Sequence, residues 1–206
     1  MQRGNNKRAI VHDDRDCEVF LDLLENAAVR FDLAVHGYVV MANHYHLLAT
    51  PKHETSLPKV IHDVAGNYCQ FYNRRYGRIG TIWNGRYKPK LILDERYWLT
   101  CLRYIEQNPV RAGIVDSPEL YRWSSYSWHA YRTGASWLTD HPVFDSLGGT
   151  WSERGLRYQE LCATPLTESE LRLERHKRHP RGQTPGLTPS SSARASAGSG
   201  TALPAS

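Results

Sequence analysis

The chain has 206 residues, 40% of them hydrophobic and 11% aromatic, which is enough for one folded domain with a buried core. Its 26 Lys and Arg residues against 21 Asp and Glu residues give a formal net charge of +5, a basic excess compatible with a nucleic-acid partner. The four cysteines form no Cys-x-x-Cys pair and no apolar run approaches membrane-spanning length, so a zinc knuckle, a disulfide framework and a membrane protein are not indicated.

The first half of the chain alternates helical and strand-like patterns. Apolar residues recur at helical spacing in two segments, residues 33–41 are rich in β-branched and aromatic residues, and residues 44–50 and 90–93 are strand-like. The predicted elements are a helix over about 16–30, strands over 33–41 and 44–50, a helix over about 57–76 and a strand over 90–93. Ala42-Asn43 can join the first two strands as a tight turn or a bulge, so we expect them to pair as a hairpin. This order predicts an α+β architecture, with an antiparallel sheet and helices on one face.

The second half of the chain is predicted to be helical. A helix over about 95–107 has an amphipathic apolar stripe, and Tyr104 lies beside that stripe. Asn108 follows one turn later on the side of Tyr104, and Pro109 makes Asn108 a helix end. Shorter helices are predicted from Ser124 or Ser125 to about 132 and over about 151–161.

Composition divides the chain into three regions. Residues 1–133 hold the predicted sheet and its helices, and residues 134–166 form a helical C-terminal extension. Residues 167–206 are predicted to be a tail that is first basic, with a cluster at 175–179, and then rich in Pro, Gly, Ser and Ala. Such a composition buries too little apolar surface to fold, so we expect the low-complexity part to be disordered.

Two histidines flank one residue inside the second predicted strand. Side chains alternate along a strand, so His44 and His46 should point the same way while Tyr45 points the other. Two adjacent imidazoles suit a transition metal and leave open positions for substrate oxygens. The pattern alone is equally compatible with the polar face of a half-buried strand.

A tyrosine hydroxyl can cleave a phosphodiester when a metal ion polarises the phosphate. The product is a covalent phosphotyrosine, which conserves the bond energy for rejoining the strand. A tyrosine on a predicted helix with an amide one turn later, the pair Tyr104 and Asn108, is compatible with this chemistry, and such an amide is a plausible third metal ligand. Competing tyrosines are Tyr72, Tyr76 and Tyr87.

Several motif runs, in this order, resemble one known family, the single-tyrosine HUH transposases, and within it the REP-associated tyrosine transposases. They cover roughly residues 1–161 and are Arg3-Gly4-Asn5-Asn6, Met41-Ala42-Asn43-His44-Tyr45-His46-Leu47-Leu48, Trp83-Asn84-Gly85-Arg86-Tyr87, Arg103-Tyr104-Ile105-Glu106-Gln107-Asn108-Pro109-Val110-Arg111-Ala112-Gly113 and Tyr121-Arg122-Trp123-Ser124-Ser125-Tyr126.

The resemblance implies a ferredoxin-like fold, with the tyrosine on a helix packed beside the sheet. It implies cleavage and transfer of single-stranded DNA at hairpin or palindromic sites, with a divalent ion, Mg²⁺ or Mn²⁺. On the matching motifs, His44 and His46 would be metal ligands, Tyr104 the nucleophile and Asn108 the third ligand. It also implies a bacterial cytoplasmic protein associated with the nucleoid, acting as a monomer or homodimer.

Basic residues in the motif runs or directly beside them are candidate phosphate contacts. They are Arg86, Lys88, Arg103 and Arg111. Trp83 and Tyr87 could stack on unpaired bases or pack in the core. The tail cluster could add sequence-independent affinity or be merely solvated.

The chain departs from the family pattern at its first residues. Met1 falls almost on the Arg3-Gly4-Asn5 run, so we expect the first strand of the sheet to be missing. This departure leaves an alternative function open, that of a truncated or domesticated relative that binds a DNA hairpin without cutting it. A structural metal-binding module is disfavoured, because structural zinc sites usually have four ligands and only two or three are evident.

Overall fold

A computed structural model describes residues 1–176 of the chain. Its centre is a three-stranded antiparallel sheet of β1 (Gln2–Arg3), β2 (Leu33–Met41) and β3 (His44–Pro51), in the order β1-β3-β2. Met41 pairs with His44, so Ala42 and Asn43 form a two-residue turn. The predicted hairpin and the predicted α+β class are thereby confirmed.

Eight α-helices surround the sheet within the described residues. They are α1 (Asp14–Arg30), α2 (Ser56–Tyr76), α3 (Glu95–Glu106), α4 (Asn108–Arg111), α5 (Tyr126–Tyr131), α6 (Pro142–Asp145), α7 (Trp151–Ala163) and α8 (Glu168–His176). Local chemistry sets several of their ends. The Asp13 carboxylate caps α1, and Gly77 ends α2 in the left-handed conformation that glycine adopts without steric cost. None of these helices combines the length and the apolar character needed to cross a membrane.

The two faces of the sheet are covered by different helices. Val35 and Tyr45 point into a core formed with α1 and α2, whereas Val39 and Leu48 point into a second core formed with α3, α5 and α7. Tyr45 and Leu48 separate by the alternation of side chains along β3, whereas Val35 and Val39 separate because a β-bulge between Val35 and Gly37 shifts the alternation along β2. The helix that carries Tyr104 therefore packs on the face opposite to α1 and α2.

The first strand is short but present. Gln2 and Arg3 pair with Tyr45 and His44 on β3, so the expectation of a missing strand is corrected to a strand of two residues. Backbone hydrogen bonds then join β1 to the segment 82–88, with the Asn84 amide donating to the Arg3 carbonyl at 2.8 Å.

The prediction of a strand over residues 90–93 is wrong. These residues have no regular secondary structure, and the side chains of Leu91 and Leu93 are 69% and 86% exposed. The edge of β1 is instead occupied by the segment 82–88, so the apolar run finds no partner strand.

The C-terminal region of the described chain packs behind α3. Helices α5 and α7 contact one another, and α8 occupies the start of the stretch predicted to be a tail. The rest of the predicted basic cluster, from residue 177, and the predicted low-complexity stretch lie outside the described residues.

Candidate active site

The histidine pair lies on the face of the sheet that packs against α3. The imidazole rings of His44 and His46 are 5.3 Å apart between centroids and nearly perpendicular. Tyr45 between them points to the other face, where its hydroxyl donates a hydrogen bond to the Gln2 side-chain oxygen at 3.0 Å. The strand thus brings the two imidazoles together as its periodicity predicted.

Asn43 fixes the tautomer of His44. The Asn43 amide nitrogen donates to the Lys7 carbonyl at 3.3 Å, so its oxygen faces Nδ1 of His44, 2.7 Å away. An amide oxygen can only accept, so Nδ1 carries the proton and Nε2 keeps its lone pair. A second partner of this kind is what orients a histidine that binds a metal.

Burial keeps both imidazoles uncharged near neutral pH. Desolvation, aided by the positive charge of Arg3, lowers the pKa of His44 from 6.5 to about 4. Desolvation also lowers the pKa of His46 well below 6.5, with the charges of Arg111 and Arg3 acting in the same direction. Neutral imidazoles are the form that coordinates a metal ion.

Tyr104 lies directly beside the histidine pair. Its ring is 5.8 Å from the His46 ring between centroids, at 75°. Leu102 and Ile105 hold α3 in the second core, which leaves Tyr104 half-buried at the edge of the helix. The guanidinium of Arg111 stacks 3.9 Å above the centre of the Tyr104 ring and donates to the Tyr104 carbonyl at 2.8 Å.

The competing tyrosines lie elsewhere. Tyr72 and Tyr76 are on α2, across the sheet, and both rings pack against the His12 ring. The Tyr76 hydroxyl donates to the buried carboxylate of Asp16 at 2.8 Å, and burial together with that bond raises its pKa to about 12. Tyr87 packs against the core of α1 and α2.

Asn108 begins α4 at the point where α3 ends. The helix breaks at Gln107, and Asn108 is half-buried, with its carbonyl accepting from the Ala112 amide at 3.0 Å. Within residues 1–176, no hydrogen bond joins the Asn108 amide to either histidine of the pair. No three His, Cys, Asp or Glu side chains among those residues cluster to hold a metal.

The donor set therefore fits a metal with open positions. Two neutral imidazoles lie side by side, one with its Nε2 lone pair fixed, and the remaining ligands would be an amide oxygen, water or substrate. This composition suits a catalytic ion better than a closed structural one.

The sequence model of IS200-like transposases matches residues 1–108, just over half of the chain. The chain belongs to the IS200-like transposase family. Its fold is similar to that of a REP-associated tyrosine transposase solved bound to a REP hairpin, with a TM-score of 0.50 and 14% identity over 68% of this chain and 82% of that one. No curated protein matches the chain. The family resemblance predicted from the motifs is confirmed.

The four basic residues predicted to contact DNA occupy different environments in this transposase. Arg86 and Lys88 are exposed on the segment beside β1, and Arg111 is exposed above Tyr104. Arg103 is buried, and its guanidinium donates to Glu170 at 3.1 Å and to the Thr164 carbonyl at 2.7 Å. Arg103 thus ties α3 to the C-terminal helices of the transposase.

Sequence reasoning missed a buried carboxylate on the helix of the candidate nucleophile. Glu106 is fully buried and accepts from the hydroxyls of Ser125 and Tyr158, the latter at 2.6 Å, while Nδ1 of His129 lies 2.8 Å away. The available signal was a carboxylate on the apolar side of an amphipathic helix, which is rarely buried without partners. This network anchors α3 to α5 and α7.

Proposed function

We propose that this transposase cleaves and rejoins single-stranded DNA at hairpin or palindromic sites, with Tyr104 as the nucleophile. His44 and His46 would hold a divalent ion, Mg²⁺ or Mn²⁺, with the Asn108 amide as third protein ligand. One observation carries the proposal: the ring of Tyr104 contacts the ring of His46, with 5.8 Å between centroids. Hairpin DNA is proposed because the structural neighbour was solved bound to a REP hairpin.

The reaction consists of two transfers at one phosphorus atom. The Tyr104 hydroxyl loses its proton as its oxygen attacks the phosphate, the bond between phosphorus and the 3′ oxygen breaks, and the 3′ oxygen takes up a proton and leaves as a hydroxyl. The 5′ phosphate is then esterified to tyrosine. An incoming 3′ hydroxyl reverses the step, so that the DNA strand is rejoined and the tyrosine is restored. A bound ion would neutralise the charge that develops on the phosphate oxygens.

Basic side chains are proposed to orient the nucleophile and to supply positive charge for the DNA phosphates. The stacked Arg111 guanidinium restricts the Tyr104 ring and adds positive charge where the DNA phosphate would lie. Arg86 and Lys88, both exposed, are proposed to contact the DNA backbone on the β1 side. Arg103 is left out of the proposed set, because its guanidinium already has protein acceptors.

The test is covalent capture. The protein is incubated with single-stranded hairpin oligonucleotides, with Mg²⁺, Mn²⁺ or EDTA, and a protein–DNA adduct is sought on a denaturing gel. We expect a metal-dependent adduct that Tyr104→Phe and His44→Ala abolish. Tyr87→Phe is the matched control and should retain the adduct.

Each other outcome has a defined meaning. An adduct that survives Tyr104→Phe would assign the nucleophile to another tyrosine. Hairpin binding without any adduct in the unmodified chain would favour the alternative function, a non-catalytic hairpin-binding protein. Direct Mn²⁺ titration by electron paramagnetic resonance, compared between the unmodified chain and His46→Ala, tests the metal site separately from activity. The state of assembly and the nucleoid location stay predictions.

A further inference from the structure

We infer that Arg3 binds the phosphate that Tyr104 attacks, from the side of the histidine pair opposite to Tyr104. This inference rests on the proposed function and adds a substrate-contacting residue to it.

The register of β1 places Arg3 at the histidine pair. Arg3 is the direct partner of His44 in the β1–β3 pairing, and side chains of directly paired residues lie on the same face of a sheet. Gln2, the preceding residue, reaches the other face and hydrogen-bonds Tyr45. Arg3 thus lies beside His44, whereas Tyr104 lies beside His46. A phosphate bound over the histidine pair would contact both Arg3 and Tyr104.

Within the part of the chain that the structure describes, the guanidinium of Arg3 has no acceptor. Its Nε is buried and has no hydrogen-bond partner, and none of the ion pairs among residues 1–176 involves Arg3. The Nε of Arg103 is likewise buried without a partner, but the terminal nitrogens of Arg103 donate to Glu170 and to the Thr164 carbonyl, and Arg75 pairs with carboxylates. Arg3 has no such acceptor among the described residues, and this distinguishes it. A buried donor without a partner is unfavourable, and a phosphodiester offers two oxygens that match the guanidinium fork.

The backbone holds Arg3 in place without help from its side chain. Its carbonyl accepts from the Asn84 amide, and the Gly4 amide donates to the Asn43 carbonyl, both at 2.8 Å. Gly4 also permits close packing, since a Cβ there would lie 2.2 Å from the Arg8 carbonyl oxygen. The side chain is therefore available for a ligand, and the backbone from which it extends is already fixed before the ligand binds.

The experiment measures binding, in EDTA, to hairpin oligonucleotides that carry one neutral methylphosphonate at successive positions. All proteins carry Tyr104→Phe so that the DNA stays intact, and the variants add Arg3→Ala, Arg3→Lys or Arg30→Ala. Arg30 is the matched control, because its side chain is 64% exposed at the end of α1. Thermal unfolding checks that each variant is folded.

We expect the reference protein to lose about 10- to 100-fold in affinity when the phosphate at the cleavage position is neutralised, as for a charge-assisted bond. Arg3→Ala should bind native DNA weaker by a similar factor and should lose most of its sensitivity at that one position. Arg3→Lys should fall between the two, and Arg30→Ala should match the reference.

The result that overturns the inference is an unchanged methylphosphonate profile in folded Arg3→Ala. The inference is also overturned if Arg3→Ala loses its sensitivity to methylphosphonate at a position other than the one where the covalent adduct forms. In both cases hairpin binding and the adduct persist, so the proposed function stands. Absence of hairpin binding and of the adduct in the unmodified chain would remove the proposed function and the inference together.

Discussion

The buried carboxylate of Glu106 makes a prediction that can be worked from its contacts. Its Oε2 accepts from Tyr158, and its Oε1 faces Ser125 and Nδ1 of His129. Glu106→Gln keeps the shape but turns one of the two oxygens into a donor. That donor must then face either the Tyr158 hydroxyl or the pair on the other side. A hydroxyl that faces the amide must accept instead of donate, so its own proton loses the buried acceptor that Glu106 provided.

The expected cost follows from the burial of the group and the number of its partners. Each buried donor or acceptor that is left without a partner costs about 1–3 kcal/mol, and Oε1 alone faces two partners. We therefore expect Glu106→Gln to lower the free energy of unfolding by about 3 kcal/mol. For a domain of this size that is a fall in melting temperature of about 6–12 °C.

Urea and thermal unfolding measure this difference. Glu160→Gln, at an exposed position of α7, is the control and should leave stability within about 0.5 kcal/mol of the unmodified chain. A double-mutant cycle with Tyr158→Phe should show coupling, because both changes remove the same hydrogen bond. If Glu106→Gln unfolds like the control, the reasoning that this network anchors α3 is refuted.

Three further predictions concern stability and the metal site. Burial lowers the pKa of His36 below 6.5, so the unfolded chain takes up a proton there more readily than the folded chain. Urea unfolding should therefore show stability falling as the pH drops below about 6.5, and falling less steeply in His36→Gln. Gly155→Ala should lower the free energy of unfolding by about 1–3 kcal/mol, because its Cβ would lie 2.6 Å from the Ala130 carbonyl oxygen. Gly66→Ala, with open space around the new Cβ, should raise it by about 0.5–1 kcal/mol, and equal effects of the two substitutions would contradict the packing argument. Asn43→Leu should weaken Mn²⁺ binding about 10- to 100-fold in a resonance titration, and unchanged affinity would exclude its orienting role.

Local periodicity accounts for the parts of the site that sequence reasoning predicted. The alternation of a strand places His44 and His46 on one face, and this holds for any strand that contains them. This relation spans a few residues and depends only on backbone geometry. The predicted placement of Asn108 one helical turn after Tyr104 crosses the break at Gln107, where one helix ends and the next begins, so the role of Asn108 stays a prediction.

The strand predicted over 90–93 shows the limit of such patterns. A short apolar run is compatible with a strand, but a strand also needs a partner with free hydrogen-bonding groups. The segment 82–88 takes that place beside β1, and Leu91 and Leu93 are left exposed. The prediction that Arg103 contacts DNA has a similar limit. Arg103 precedes Tyr104 by one residue, but consecutive helical residues point in different directions, and the Arg103 side chain pairs with Glu170.

The sequence by itself determined the family, the hairpin, the order of the principal helices and the pairing of two histidines on one face. Only the tertiary structure decided that Tyr104, rather than Tyr72 or Tyr76, contacts His46. It also decided that Glu106 is buried in a polar network. The physical reason is that backbone geometry fixes which neighbours in sequence share a face, whereas contacts between distant residues depend on how helices and sheet pack, which no local pattern encodes.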